Sequence, residues 1–241
     1  MQTKLVAHRG YAAKYPENTL EAVLAALQLG VAFVEIDLQW SRDGIPMLLH
    51  DIDFQRTAAK PDCIFDLSAT DAAKIIVNEP NRLGNTFQTS TPAFSELVTL
   101  MRDYPEAGCL VELKTESLDR FGMETCVASL MHYIDNDRNQ FPFISYSQEA
   151  LHYAKQHFQQ KIGWVLTHYN ATSLQLAEQL QPDFLICNHR KIPKDLKALP
   201  QLGAAWVFYE VEDLHTANWL TQLGCTYLET MNPGAFISHE T

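Results

Sequence analysis

The chain has 241 residues, 46% of them hydrophobic and 20% charged, a globular composition with length enough for one large α/β domain or two small ones. Its formal net charge of -11 argues against a nucleic-acid backbone as partner. No apolar run reaches membrane-spanning length, so stable membrane insertion is not expected either.

The opening residues Met1 to His8 carry no apolar signal core, which points to a cytoplasmic protein. The five cysteines, Cys63, Cys109, Cys126, Cys187 and Cys225, are scattered and form no CxxC pair. Free thiols in a reducing compartment are expected rather than a disulfide frame or a zinc site.

In chain order, Lys4 to Ala7 reads as a strand running into His8-Arg9-Gly10. After Pro16-Glu17-Asn18-Thr19, an Asn18 cap with Glu21 three residues on starts a helix. Leu20, Val23, Leu24 and Leu27 form its apolar stripe, and Gly30 closes it. Residues 33–39 then alternate with period 2: Val34, Ile36 and Leu38 on one face, Phe33, Glu35, Asp37 and Gln39 on the other. Two carboxylates one pleat apart repel, and burying them costs several kcal/mol to order of magnitude unless they are partnered. A divalent cation meets that need; an edge strand with its acidic face in water is the plainer alternative.

Ser41-Arg42-Asp43-Gly44 signals a turn, and 45–49 leads into His50-Asp51. Residues 51 to about 91 are irregular and read as an excursion, a small cap. A helix is expected from Pro92 to about 103, then a strand at 109–114 with Leu110, Glu112 and Lys114 on one face. Helices at 120–136, 147–159, 172–180 and 194–199 alternate with strands at 141–145, 161–166, 184–187 and 204–209. Asp213 caps a further helix stopped by Gly224, and 227–229 is the last strand. Eight strands mostly joined by helices give the expected fold, α/β, a TIM (β/α)8 barrel with a small insertion after strand 2, as one domain over 1–241 with the insertion at about 51–91. A doubly wound open sheet is the alternative, and the final helix is missing or vestigial.

In such a barrel, chemistry sits at the C-terminal ends of the strands. His8, Arg9, Glu35, Asp37, His50, Glu112 and Lys114 are all expected at that rim on neighbouring strands. The three carboxylates suit Mg²⁺ or Ca²⁺; Arg9 and Lys114 suit a phosphate; His8 and His50 could be general acid and base. The plainer readings are structural histidines, and a Lys114 that only pairs with Glu112. Asp51 and Asp53 read as loop acids that support or form turns rather than ligate.

At these residues the sequence resembles the glycerophosphodiester phosphodiesterases, bacterial cytosolic type. The matching motifs are His8-Arg9-Gly10, Pro16-Glu17-Asn18-Thr19, Glu35-Ile36-Asp37, Asp43-Gly44, His50-Asp51 with Arg56-Thr57, and Glu112-Leu113-Lys114. The likeness covers nearly the whole chain and tapers after residue 150; Asn188-His189-Arg190 also looks like the family but has no assigned role. The resemblance implies metal-dependent hydrolysis of small glycerophosphodiesters to glycerol 3-phosphate and an alcohol. It implies one divalent cation on Glu35, Asp37 and Glu112, His8 and His50 as acid and base, and Arg9 and Lys114 on phosphate oxygens.

The late motifs depart from the family's. Where the family commonly has Trp-Thr-Val-Asn, this chain has Trp206-Val207-Phe208-Tyr209-Glu210. The family's closing Thr-Asp is replaced by Leu228-Glu229-Thr230-Met231, and its Ser-Phe by Ser145-Tyr146. Glu210 is expected to face solvent; pointed inward it would repel a second phosphate or attract a cationic head group. Two alternatives stand beside the main reading. One is lysophospholipase D-type activity, for which Phe143, Tyr146, Trp206, Phe208 and Tyr209 would have to line an apolar groove. The other is a phosphodiester-binding barrel without turnover.

Overall fold

The computed structural model describes residues 3–237. Met1, Gln2 and residues 238–241 lie outside the described residues, and with them part of the N-terminal reading.

Alternating apolar residues along eight short segments give strands that are buried on both faces. They run β1 (Lys4–His8), β2 (Phe33–Trp40), β3 (Gly108–Leu113), β4 (Phe143–Ser145), β5 (Ile162–Val165), β6 (Phe184–Asn188), β7 (Ala205–Tyr209) and β8 (Tyr227–Thr230). All neighbours pair in parallel, and β1 pairs with both β2 and β8, so the sheet closes into a barrel rather than staying open. Val34, Ile36 and Leu38 face outward with Cys109, Val111 and Leu113 into the layer shared with the helices. Val6, Leu110, Ile144, Val165, Ile186 and Val207 fill the barrel itself. At roughly 1.5–3 kcal/mol for each fully buried aliphatic side chain, these two layers stabilise the staves strongly enough to carry charged groups at one rim. Phe33 plugs the opposite end, its ring edge-on to Phe184 and Tyr227 at 5.6 and 5.4 Å.

Pro46–Leu48 folds back antiparallel on β2, Leu48 opposite Leu38. The insertion that follows is built of short pieces, helices Gln55–Ala58, Ala69–Ala72 and Pro80–Leu83 and a two-stranded ribbon pairing Ile76–Val77 with Thr89–Ser90. It has a small core of its own around Phe54, Ile64, Ala72 and Ile75.

Three local expectations change. The first helix, Leu20–Gln28, is capped by Thr19, whose hydroxyl accepts from the Ala22 N–H, and not by Asn18. The helix expected at 120–136 is two, Thr115–Phe121 and Met123–Ile134, broken at Gly122, whose φ of 84° leaves the helical region. No helix forms at 194–199. A 3-10 turn, His189–Lys191, precedes the segment, and Pro193 and Pro200 bracket too few residues to offset the cost of nucleation. The expected terminal vestige is a five-residue helix, Pro233–Ile237.

Candidate active site

β1 delivers His8 and Arg9 to the rim. Gly10 follows with φ 78°, and a Cβ there would lie 2.6 Å from the carbonyl carbon of Ala22. The turn therefore rests directly on the first helix, where only glycine fits. Arg9 itself is left-handed, φ 55°. That conformation costs a non-glycine residue roughly 1–2 kcal/mol and is offset here by fixed partners. The Arg9 N–H donates to Glu35 Oε2 at 3.0 Å, and its Nη1 donates to Glu17 Oε1 at 2.9 Å. Its Nε stands 3.1 Å from Asp37 Oδ2 without hydrogen-bond alignment.

Register brings the acids together: Glu35 lies beside His8, and Asp37 beside Glu112. Carboxylate oxygens of Glu35, Asp37 and Glu112 lie within 4.8 Å of one another, so the three could hold a metal ion. Lys114 follows β3 and reaches back, its Nζ 3.0 Å from Glu112 Oε1 and 3.4 Å from Asp37 Oδ1. It thus pairs with Glu112 as the plainer reading expected, and with Asp37 as well. Asn18, freed from capping, clamps Asp37. Its Nδ2 donates to Asp37 Oδ2 at 2.9 Å, and its Oδ1 accepts the Asp37 N–H at 3.0 Å.

His50 reaches the same rim from the antiparallel return strand. The Leu49 N–H donates to the Asp37 carbonyl at 3.0 Å, and Gln39 Nε2 donates to the His50 carbonyl at 3.1 Å. Asp51 Oδ1 lies 2.7 Å from His50 Nδ1, which leaves Nε2 for a substrate. Arg56 of the insertion ties this side to the other. It donates through Nε to Asp51 at 2.7 Å and through both Nη atoms to Glu17 at 2.6 and 2.7 Å. The loop acid Asp51 thus supports His50, in line with expectation.

His8, Arg9, Glu35, His50, Glu112 and Lys114 line one cavity of about 200 Å³, floored by Ile144, Val165 and Ile186. Tyr146, Tyr209, Glu210 and Glu229 complete the wall. The Tyr146 and Tyr209 hydroxyls meet at 3.1 Å across the mouth. Glu210 lines the cavity rather than facing away from it, held at 3.3 Å by both Asn188 Nδ2 and Arg190 Nη1. Phe143, Trp206 and Phe208 pack in the barrel–helix layer, outside the cavity.

The electrostatics follow from this crowding. Burial, then the Arg9 charge, pushes His8 down to about 3, so its imidazole is neutral at neutral pH. For Asp37 burial works upward, but Arg9, Lys114 and the Asn18 hydrogen bond outweigh it and hold the carboxyl below its ordinary range. Glu35 is raised by burial and by Asp37, Glu229 and Glu112; Glu112 is raised by burial and Asp37. Burial, then Glu112 and Asp37, lifts Glu229 to about 8. Among the described residues Glu35 Oε1 is buried without a hydrogen-bond partner. A hard divalent cation fits this donor set, because it compensates acids that lack counter-charges.

All seven residues singled out in the sequence meet at one rim. Sequence reasoning gave no place in the site to Glu17, Asn18, Gln39 and Glu229, although Glu17 and Asn18 stood in one of the matching motifs. Glu229 carried a readable signal: in β8 the period-2 pattern puts it on the inward face with Tyr227, as Glu35 shares a face with Phe33. Asn18 and Glu17 sit in an aperiodic loop, where no such pattern operates.

A closed (β/α)8 barrel with buried acids, two histidines and two fixed cations at its catalytic rim is a TIM barrel equipped for a divalent cation and an anionic substrate. The chain belongs to the glycerophosphoryl diester phosphodiesterase family, whose sequence profile matches residues 8–234. It is 40% identical over 82 residues to glycerophosphodiester phosphodiesterase 1 of Bos taurus, covering 34% of this chain and 25% of that protein. To the glycerophosphodiester phosphodiesterase of Bacillus altitudinis it is 30% identical over 142 residues, 56% of each chain. The matches thus span a quarter of the mammalian relative's length and about half of the bacterial one's. Among solved structures, an Oleispira antarctica phosphodiesterase in complex with the product sn-glycerol-3-phosphate superposes with a TM-score of 0.85 at 24% identity, covering 98% of this chain and 95% of that one. Glycerophosphodiester phosphodiesterase from Thermotoga maritima gives 0.79 at 19% identity, covering 99% and 98%. These two likenesses establish the fold.

Proposed function

We propose that the chain, as one unit over 1–241, hydrolyses small glycerophosphodiesters to glycerol 3-phosphate and an alcohol with the help of one Mg²⁺ or Ca²⁺. The observation that carries this reading is the meeting of Glu35, Glu112, Arg9, Lys114, His8 and His50 around one cavity, with Asp37 buried beside them against Arg9 and Lys114. Family membership supports it, and so does the product bound by the Oleispira relative.

Glu35, Asp37 and Glu112 would hold the cation, which supplies Lewis acidity toward the glycerol hydroxyl or a water. Arg9 and Lys114 hold phosphate oxygens, Arg9 preset by Glu17 and Lys114 by Glu112 and Asp37. His8 and His50 flank the phosphate as proton carriers, His50 oriented through Nδ1 by Asp51. The cavity of about 200 Å³ suits a polar head group; it is below the roughly 300–1,000 Å³ of pockets that enclose drug-sized ligands. A larger groove beyond His50 is walled mainly by polar side chains, among them Asp51, Asp53, Gln55 and Arg56, and offers an acyl chain little apolar surface. Among the described residues no helix is long and apolar enough to cross a membrane, and the five cysteines are unbridged. Free thiols support a reducing, cytoplasmic setting.

The test is release of glycerol 3-phosphate from glycerophosphocholine by metal-stripped protein, with and without added Mg²⁺ or Ca²⁺. Cation-dependent release is expected. No release with either cation from folded protein would overturn the proposal.

A further inference from the structure

We propose that the rim carries a second cation position, formed by His8, Glu35 and Glu229, which takes a borderline-soft divalent ion of the Zn²⁺ type. Donor atoms of these three side chains lie within 4.8 Å of one another. His8 Nε2 is 3.5 Å from Glu229 Oε1 and 3.9 Å from Glu35 Oε2. Ligands in tetrahedral directions at 2.0–2.2 Å from one zinc ion lie about 3.3–3.6 Å apart, so small side-chain shifts close the site. One nitrogen and two carboxylates is a zinc-type donor set, whereas Glu35, Asp37 and Glu112 offer oxygen alone and suit Mg²⁺ or Ca²⁺.

A further observation points to a ligand here. Glu229 is only 3% exposed, yet among the described residues its Oε2 has no hydrogen-bond partner; the unpartnered Glu35 Oε1 is already accounted for by the oxygen site. Buried carboxylate oxygens are rarely left so unless something charged meets them. The local charge is negative: among the described residues Glu35, Asp37, Glu112 and Glu229 face two fixed cations, Arg9 and Lys114. One divalent ion balances that set, so a second is held by its three ligands and not by residual charge.

The consequence rests on the proposed function. An ion on His8 Nε2 occupies the lone pair that would accept a proton, so this position is inhibitory, and Glu229 is the residue that creates it. Glu229 also stands where the chain departs from the family's late motifs.

Zn²⁺ is titrated calorimetrically, in the same excess of Mg²⁺, into wild type, Glu229→Gln and Glu112→Gln, with Co²⁺ absorption as a second readout of a tetrahedral nitrogen-containing site. Wild type takes up one Zn²⁺ and gives the Co²⁺ spectrum. Glu229→Gln loses zinc affinity by more than the roughly 10–100-fold that removing a mere supporting group costs a metal site. Glu112→Gln keeps it. His8→Asn is the second variant if Glu229→Gln does not fold, and it loses zinc likewise. Zinc inhibits turnover in wild type, and the inhibitory concentration rises in Glu229→Gln in the same ratio as the affinity falls. Equal zinc affinity in wild type and Glu229→Gln, or zinc uptake abolished by Glu112→Gln, overturns the site. If the protein proves inactive on glycerophosphodiesters while the binding pattern holds, the site stands and the proposed function falls.

Discussion

Replacing Asn18 by alanine tests how the acidic centre is held apart from any metal. Asn18 makes two buried bonds to Asp37, accepting its N–H at 3.0 Å and donating to its Oδ2 at 2.9 Å, from a left-handed backbone with φ 54°. Truncation leaves the Asp37 N–H without an acceptor, which costs about 1–3 kcal/mol. The lost bond to the carboxylate is worth about 1.5–3 kcal/mol, with the low end apt because Arg9 and Lys114 still face Asp37. Alanine in the left-handed region adds roughly 1–2 kcal/mol that asparagine largely escapes. These effects overlap, and about 3–5 kcal/mol is expected, a fall in Tm of about 6–20 °C for a chain of this size. The assay is thermal unfolding by circular dichroism in chelator, with Asn18→Gly alongside. Glycine removes only the backbone strain and should recover about 1 kcal/mol of the loss. A shift under about 2 °C for Asn18→Ala would refute the clamp.

Three other outcomes are expected. Mg²⁺ or Ca²⁺ at a hundred times its Kd should stabilise stripped protein by about 2.7 kcal/mol, a rise of about 5–10 °C, and Glu112→Gln should lose most of it; no rise in wild type rejects the cation site. His50→Ala should keep that cation-dependent rise while turnover falls by about 10²–10⁴, so a wild-type rate would remove His50 from the chemistry. Glu229 holds its proton to about 8 in the fold, against an ordinary value near 4.5. Between those limits the native state binds more protons than the unfolded chain, so stability of the metal-free protein is full below the lower limit and declines as pH rises toward the upper. The decline is at most about 1.4 kcal/mol per pH unit for one group, and Glu35 and Glu112 add to it in the same direction. Urea melts from pH 5 to 8 should show the decline and Glu229→Gln should flatten it; a parallel decline in the variant counts against the assignment.

The barrel and most of its rim were legible in the sequence. Period-2 alternation is a local property of each strand, so Glu35, Asp37 and Glu112 could be placed on inward faces before any contact was known. The rule that barrel chemistry sits at strand ends then brought His8, Arg9, His50 and Lys114 to the same place. What eluded the pattern was held by long-range contacts or by loops. Asn18 had the chemistry of a helix cap, but the left-handed turn set by the neighbouring packing handed the cap to Thr19 and turned the Asn18 amide onto Asp37. Glu17 sits in the same aperiodic loop, and its role depends on Arg56 arriving from an insertion 39 residues away. Glu229 and Glu210 acquire meaning only when the barrel closes, because β8 meets β1 at the end of the chain and puts a fourth carboxylate beside His8. Local patterning sets which way a side chain points; only closure of the sheet sets which charge it will face.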